Sequence, residues 1–116
     1  MTLVIPLFYK NVNTMLSIFK NLFKSTTVDL AQLIKDGAVI VDVRSKSEYA
    51  SGHVKGSINI PLEQVGANVD KLKAYNHLIT CCRSGNRSGM AKRTLESKGL
   101  KNVTNGGSWQ NVNQYK

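Results

Sequence analysis

Past residue 25 the chain alternates between two kinds of hydrophobic spacing. Ala38-Val39-Ile40-Val41-Asp42-Val43 is an apolar, β-branched run, the pattern of a strand buried on both faces. His77-Leu78-Ile79-Thr80-Cys81 repeats that pattern, and Ser57-Ile58-Asn59-Ile60 and Lys101-Asn102-Val103-Thr104 read as shorter strands. Between them lie helical signals. Thr26-Thr27-Val28-Asp29 reads as a capping box for a helix running through Ile34 and stopped at Gly37. Ser45-Lys46-Ser47-Glu48 is a second capping box, for a short helix that ends before Gly52. Leu62 to Leu72 starts helical and loosens around Gly66. Ser88 to Lys98 is a helix ended by Gly99, and Gly106-Gly107 turns the chain into a last segment containing Trp109. Strands alternating with helices across short connections imply βαβ crossovers and a mainly parallel α/β sheet.

Residues 1–24 follow a different pattern and read as an N-terminal extension, with residues 25–116 forming the domain. Met15, Leu16, Ile18, Phe19, Leu22 and Phe23 recur at helical spacing with Lys20 and Lys24 opposite, a short amphipathic helix. Packing on the domain and contact with a membrane surface are both open for this segment. The apolar stretch from Leu3 to Phe8 is broken by Pro6 and is too short to span a bilayer. Met15 is an alternative start, which would leave residues 1–14 as an unstructured extension.

The chain has 116 residues, enough for one domain whose core needs neither disulfide nor metal. Its two cysteines, Cys81 and Cys82, are adjacent, and neighbouring strand residues point to opposite faces, so a structural bridge between them is disfavoured. With no disulfide framework, a reducing compartment is indicated, cytoplasmic by default. Zinc spacing is absent, because no C-x-x-C occurs and His53 and His77 stand alone. The formal charge is +9, and residues 82–101 carry Arg83, Arg87, Lys92, Arg93, Lys98 and Lys101 against the single acid Glu96. Aromatic residues are 7% of the chain and do not interleave with these cations, which argues against a nucleic-acid reader and for a small anionic substrate.

Candidate chemistry concentrates in Cys82-Arg83-Ser84-Gly85-Asn86-Arg87-Ser88, where a buried strand ends and a helix begins. Parallel sheets place ligand sites at the carboxyl ends of their strands. The helix start offers free amides and a positive dipole end, and Gly85 lets successive amides turn inward into an anion nest. Ser84 and Ser88 add hydroxyls, and Arg83 and Arg87 add permanent charge. A free cysteine ionises near pH 8.5, so only about 3% is thiolate at pH 7. A lowering of about two pH units makes the thiolate the majority species, so Cys82 needs no histidine base. Cys81, one step back in the strand, reads as core.

Taken together the motifs resemble a single-domain rhodanese, a thiosulfate sulfurtransferase-like domain. The resemblance rests on Val41-Asp42-Val43-Arg44 with Glu48-Tyr49, on Gly52-His53-Val54-Lys55-Gly56-Ser57-Ile58-Asn59-Ile60-Pro61, on the Cys82–Ser88 loop with Gly89, and on Asn105-Gly106-Gly107 with Trp109. It covers about residues 26 to 113. It implies a five-stranded, mainly parallel sheet with helices on both faces. It also implies no cofactor beyond a covalent persulfide on Cys82, loaded from thiosulfate or another sulfane-sulfur donor and unloaded by cyanide, a small thiol or a protein thiol. The loop from Arg83 to Ser88 would hold the outer sulfur, and Arg83 and Arg87 would orient the donor. Asp42 and Arg44 read as a supporting pair and His53 as a turn-fixing residue. A persulfide carrier with little turnover is the alternative reading. A phosphatase or arsenate reductase ranks lower, because only four residues separate Cys82 from Arg87, one fewer than in the related phosphatases.

Overall fold

The computed structural model describes residues 29–116, so the readings made for residues 1–28 lie outside the described residues. Helix α1 (Leu30–Lys35) leads into strand β1 (Val39–Asp42), helix α2 (Lys46–Ala50) and strand β2 (Ile58–Asn59). Two 3₁₀ turns (Leu62–Gln64 and Gly66–Asn68) run into helix α3 (Val69–Leu72). Strand β3 (Leu78–Cys82), helix α4 (Asn86–Ser97), strand β4 (Val103–Ser108) and helix α5 (Trp109–Asn113) complete the domain. The sheet order is β2-β1-β3-β4 and every neighbouring pair is parallel. Four strands are present among the described residues, against the five that the resemblance implies; they are the four that the hydrophobic pattern picks out.

Alternation along β1 and β3 divides the core into two layers. Val41, Val43, Leu78 and Cys82 face a cluster with Val65, Val69, Leu72, Ala91 and Leu95, contributed by the segment after β2 and by α4. Ile40, Ile79 and Cys81 face the opposite cluster, with Leu30 of α1 and Val112 of α5. Helices therefore cover both faces, and β3 is buried along its whole length. No helix among the described residues is long and apolar enough to cross a membrane.

Four local readings are corrected. The cap of α1 is Asp29, whose carboxylate accepts the Gln32 amide at 3.1 Å, three residues after the expected Thr26. Gly66 does not loosen the chain, because 3₁₀ and α turns continue from Leu62 to Leu72 and bury Val65, Val69 and Leu72. Helix α4 starts at Asn86 rather than Ser88, so only Arg83, Ser84 and Gly85 link it to β3. Gly106 and Gly107 lie inside β4 rather than in a turn after it. There they form a bulge: Thr80 pairs with Asn105 and Cys82 with Ser108, so β4 carries one residue more than β3. A Cβ on Gly106 would stand 2.5 Å from Val112 Cγ2 and 2.7 Å from Ile79 Cγ2, so only glycine fits under α5.

Candidate active site

Cys82 is the last residue of β3, and its side chain belongs to the face covered by α4. Only 1% of the residue is exposed, so its sulfur lies at the floor of the loop rather than at an open mouth. The loop closes over it. Gly85 adopts φ +103°, a left-handed conformation that glycine tolerates, and serves as the N-cap of α4 without any side-chain cap of its own. Its amide donates to Cys82 Sγ at 3.0 Å, and the Ser88 hydroxyl stands 3.3 Å from the same sulfur. The sulfur thus accepts from the amide of the N-cap residue itself, the donor that an N3 carboxylate takes in a capping box.

These contacts decide the acidity of the thiol. Burial is the largest single influence and opposes ionisation. The Ser88 hydroxyl and the amides of Ser88, Ser84 and Gly85 together outweigh it and hold the Cys82 thiol below its ordinary value. Hydrogen bonds lead the lowering. Cys81 behaves in the opposite way: it is fully buried on the other face, in register with Asp42, and burial reinforced by that carboxylate pushes its thiol up. One thiol of the adjacent pair is therefore prepared for ionisation and the other is inert.

Asn105, at the edge of the β4 bulge, clasps the loop. Its Nδ2 donates to the Gly85 carbonyl at 3.1 Å, and its Oδ1 accepts from Ser88 Oγ at 2.7 Å and from the Gly107 amide at 3.0 Å. Asn105 opens the Asn105-Gly106-Gly107 motif, whose residue types alone give no sign of this clasp. Gly107 completes the contact, since a Cβ on Gly85 would lie 3.4 Å from Gly107 Cα.

The other predicted residues divide into three groups. Ser84 and Asn86 are exposed at the loop surface, as is Arg83, which makes no ion pair among the described residues. Arg87 does not reach over the loop as an isolated cation. Its guanidinium forms a two-point pair with Glu48, Nη1 to Oε1 at 2.7 Å and Nη2 to Oε2 at 2.9 Å. Arg87, then Ser45 through the α2 capping box, draw the Glu48 carboxyl down to about 2. Asp42, Arg44 and His53 lie apart from the sulfur. Arg44 grips Asp42 through Nε (2.9 and 3.0 Å) and Nη2 (2.7 Å), donates to the Gly52 carbonyl at 2.7 Å, and rests 5.0 Å from the Trp109 ring centre. His53 stacks on Tyr49 with ring centres 3.8 Å apart, and its Nδ1 lies 2.7 Å from the Tyr49 carbonyl. These contacts fix turns. Among the described residues no group of three or more His, Cys, Asp or Glu is arranged to hold a metal ion. An open cavity lined by Leu72, Lys73, Tyr75, Leu78, Leu100 and Asn102 sits at the other end of β3 from Cys82.

Comparison with known proteins follows the same residues. A model of the rhodanese-like domain family matches residues 26–113. The thiosulfate sulfurtransferase PspE of Escherichia coli (strain K12) is 34% identical over 80 residues, covering 62% of this chain and 71% of that protein. The putative sulfur carrier protein YrkF of Bacillus subtilis (strain 168) is 39% identical over 66 residues, 57% of this chain. The chain spans only 36% of that relative's length, and 54% of the length of YqhL from the same organism. Among solved structures, the human single-domain sulfurtransferase TSTD1 matches with TM-score 0.64 at 25% identity, over 75% of this chain and 91% of that one. A rhodanese with anions from E. coli matches with TM-score 0.61 at 31% identity, over 65% of this chain and 91% of that one.

Proposed function

The chain belongs to the rhodanese-like domain family and has its α/β fold, and on that premise we propose that it transfers sulfane sulfur through a persulfide on Cys82. The observation that carries the proposal is a buried sulfur held by the Gly85 amide at 3.0 Å and the Ser88 hydroxyl at 3.3 Å, with its ionised form favoured. The Cys82 thiolate attacks the outer sulfur of thiosulfate. The sulfur–sulfur bond of the donor breaks, sulfite leaves with the electron pair, and Cys82 carries the new sulfur. Cyanide or a thiolate then attacks that outer sulfur, and Cys82 recovers the electron pair as thiolate. No cofactor takes part, and the two free thiols suit a reducing compartment such as the cytoplasm. The loop amides stabilise anionic sulfur in both half-reactions.

The Arg87–Glu48 pair favours a second reading, a persulfide carrier that turns over small donors slowly, because Glu48 neutralises one of the two cations expected to attract thiosulfate. The same pair speaks against a phosphatase, which uses such an arginine to clamp the phosphoryl oxygens. Thiocyanate release from thiosulfate and cyanide tests the proposal. Turnover falls to background in Cys82→Ser if the reading is right, and turnover that survives this substitution contradicts it. A carrier forms the persulfide but releases thiocyanate slowly.

A further inference from the structure

Helix α4 leaves one stripe to solvent. Asn86, Met90, Arg93 and Ser97 recur at the spacing that shares a helix face, and all are exposed. Met90 is 49% exposed; the other large apolar side chain open to water among the described residues is Tyr115. This methionine, half open to water on a polar helix, belongs to neither core cluster. Its flexible, polarizable thioether suits contact with a protein surface.

The stripe starts at the loop that holds Cys82, and its charge is unspent. Arg93 Nη1 lies 3.8 Å from where a Cβ would stand on Gly89, so the guanidinium folds back toward the first turn of α4, beside Asn105. Arg83 lies exposed in the loop itself. The ion pairs among the described residues are Arg44–Asp42, Lys73–Asp70 and Arg87–Glu48, which leave Arg83 and Arg93 without acidic partners. All seven Asp and Glu residues of the chain fall within the described residues, and none of them pairs with either guanidinium; Glu96, the one acid of α4, is exposed and makes no ion pair, so the stripe and its loop keep a net positive charge.

Building on the sulfur-transfer reading, we propose that this face docks a protein whose acceptor thiol is flanked by acidic and apolar residues, with Arg83 and Arg93 meeting the acids and Met90 the apolar contact. The partner's thiolate attacks the outer sulfur of the Cys82 persulfide. The bond to Cys82 breaks, Cys82 takes the electron pair, and the partner leaves as the persulfide; no oxidant or reductant is consumed. Charge complementarity selects the partner and speeds its encounter. A protein is favoured over a nucleic acid because no aromatic side chain lies on the stripe to stack a base.

Two measurements on the full chain test this. The first is binding of fluorescent, non-reactive peptides, in which a serine replaces the acceptor cysteine, with Asp/Leu, Ser or Lys flanks. The second is sulfur transfer from thiosulfate-loaded protein to the matching cysteine peptides. The acidic peptide binds and accepts sulfur roughly tenfold better than the lysine peptide at low salt, and the gap closes at high salt. Arg93→Glu and Met90→Asp each weaken the acidic peptide by roughly three- to tenfold while thiosulfate–cyanide turnover stays within about twofold. Equal behaviour of the three peptides, or an Arg93→Glu protein that handles the acidic peptide like the native one, overturns the proposal. Arg93-dependent binding of a single-stranded RNA at physiological salt, without peptide preference, overturns it in favour of nucleic acid. Charge-selective peptide binding by a protein that thiosulfate cannot load supports the docking face and sinks the sulfur-transfer reading instead.

Discussion

Ser88→Ala isolates the contribution of one donor to the state of the Cys82 sulfur. The Ser88 hydroxyl has a single proton. It donates that proton to Asn105 Oδ1 at 2.7 Å while lying 3.3 Å from Sγ. With Cys82 protonated, the thiol donates to Ser88 and Ser88 to Asn105. On ionisation the hydroxyl turns to the sulfur, and Asn105 Oδ1 keeps the Gly107 amide at 3.0 Å. The thiolate thus gains a bond to a charged acceptor, worth about 1.5 to 3 kcal/mol, while a neutral bond of about 1 kcal/mol is released. The net is about 1 kcal/mol, which at about 1.4 kcal/mol per pH unit is about 0.7 of a pH unit. Alkylation rate against pH, in a Cys81→Ala background, reads the ionisation directly. Its midpoint moves up by about 0.7 of a pH unit in Ser88→Ala. It stays in place in Ser84→Ala, because that residue acts through its amide. A Ser88→Ala midpoint that is unmoved or lower means that this hydroxyl does not stabilise the thiolate.

Three further outcomes follow from the contacts around the loop. The Glu48 carboxyl is held at about 2, below its unfolded value, so its contribution to stability is complete above about pH 4.5 and is lost as pH falls toward 2. Thermal melts from pH 6 downward show native protein above Glu48→Gln, with the difference vanishing across about pH 4.5 to 2. Gly106→Ala forces a methyl against Val112, Ile79 and the Thr80 carbonyl and lowers stability in urea by about 1 to 3 kcal/mol. Arg44→Met leaves Asp42, fully buried, without its cation, and urea unfolding shows a loss of about 3 to 5 kcal/mol.

Local signals in the chain carried most of the architecture. The β-branched runs located β1 and β3, and the Ser45–Glu48 box marked the start of α2 with both of its reciprocal bonds. Cysteine, glycine and serine at a strand-to-helix junction marked the loop in which the Gly85 amide and the Ser88 hydroxyl meet the Cys82 sulfur. Contacts between distant residues had no such signal. Glu48 and Arg87 are 39 positions apart, so nothing in spacing or composition announced that the carboxylate would claim the guanidinium. Asn105 is likewise 20 positions from the Gly85 carbonyl it holds. Gly106-Gly107 read as a turn because turn and bulge ask for the same residue; only the mismatch in register between β3 and β4 distinguishes them.

In the proposed function the sulfur of residue 82, rather than its neighbour, is kept ionisable and takes up a second sulfur atom. Intact mass of the purified protein before and after thiosulfate tests it most directly. Sulfur transfer through Cys82 gives a gain of one sulfur atom that maps to Cys82, survives Cys81→Ala, disappears on cyanide treatment and never forms in Cys82→Ser. A gain located on Cys81, or no gain in native protein with free thiols, contradicts it.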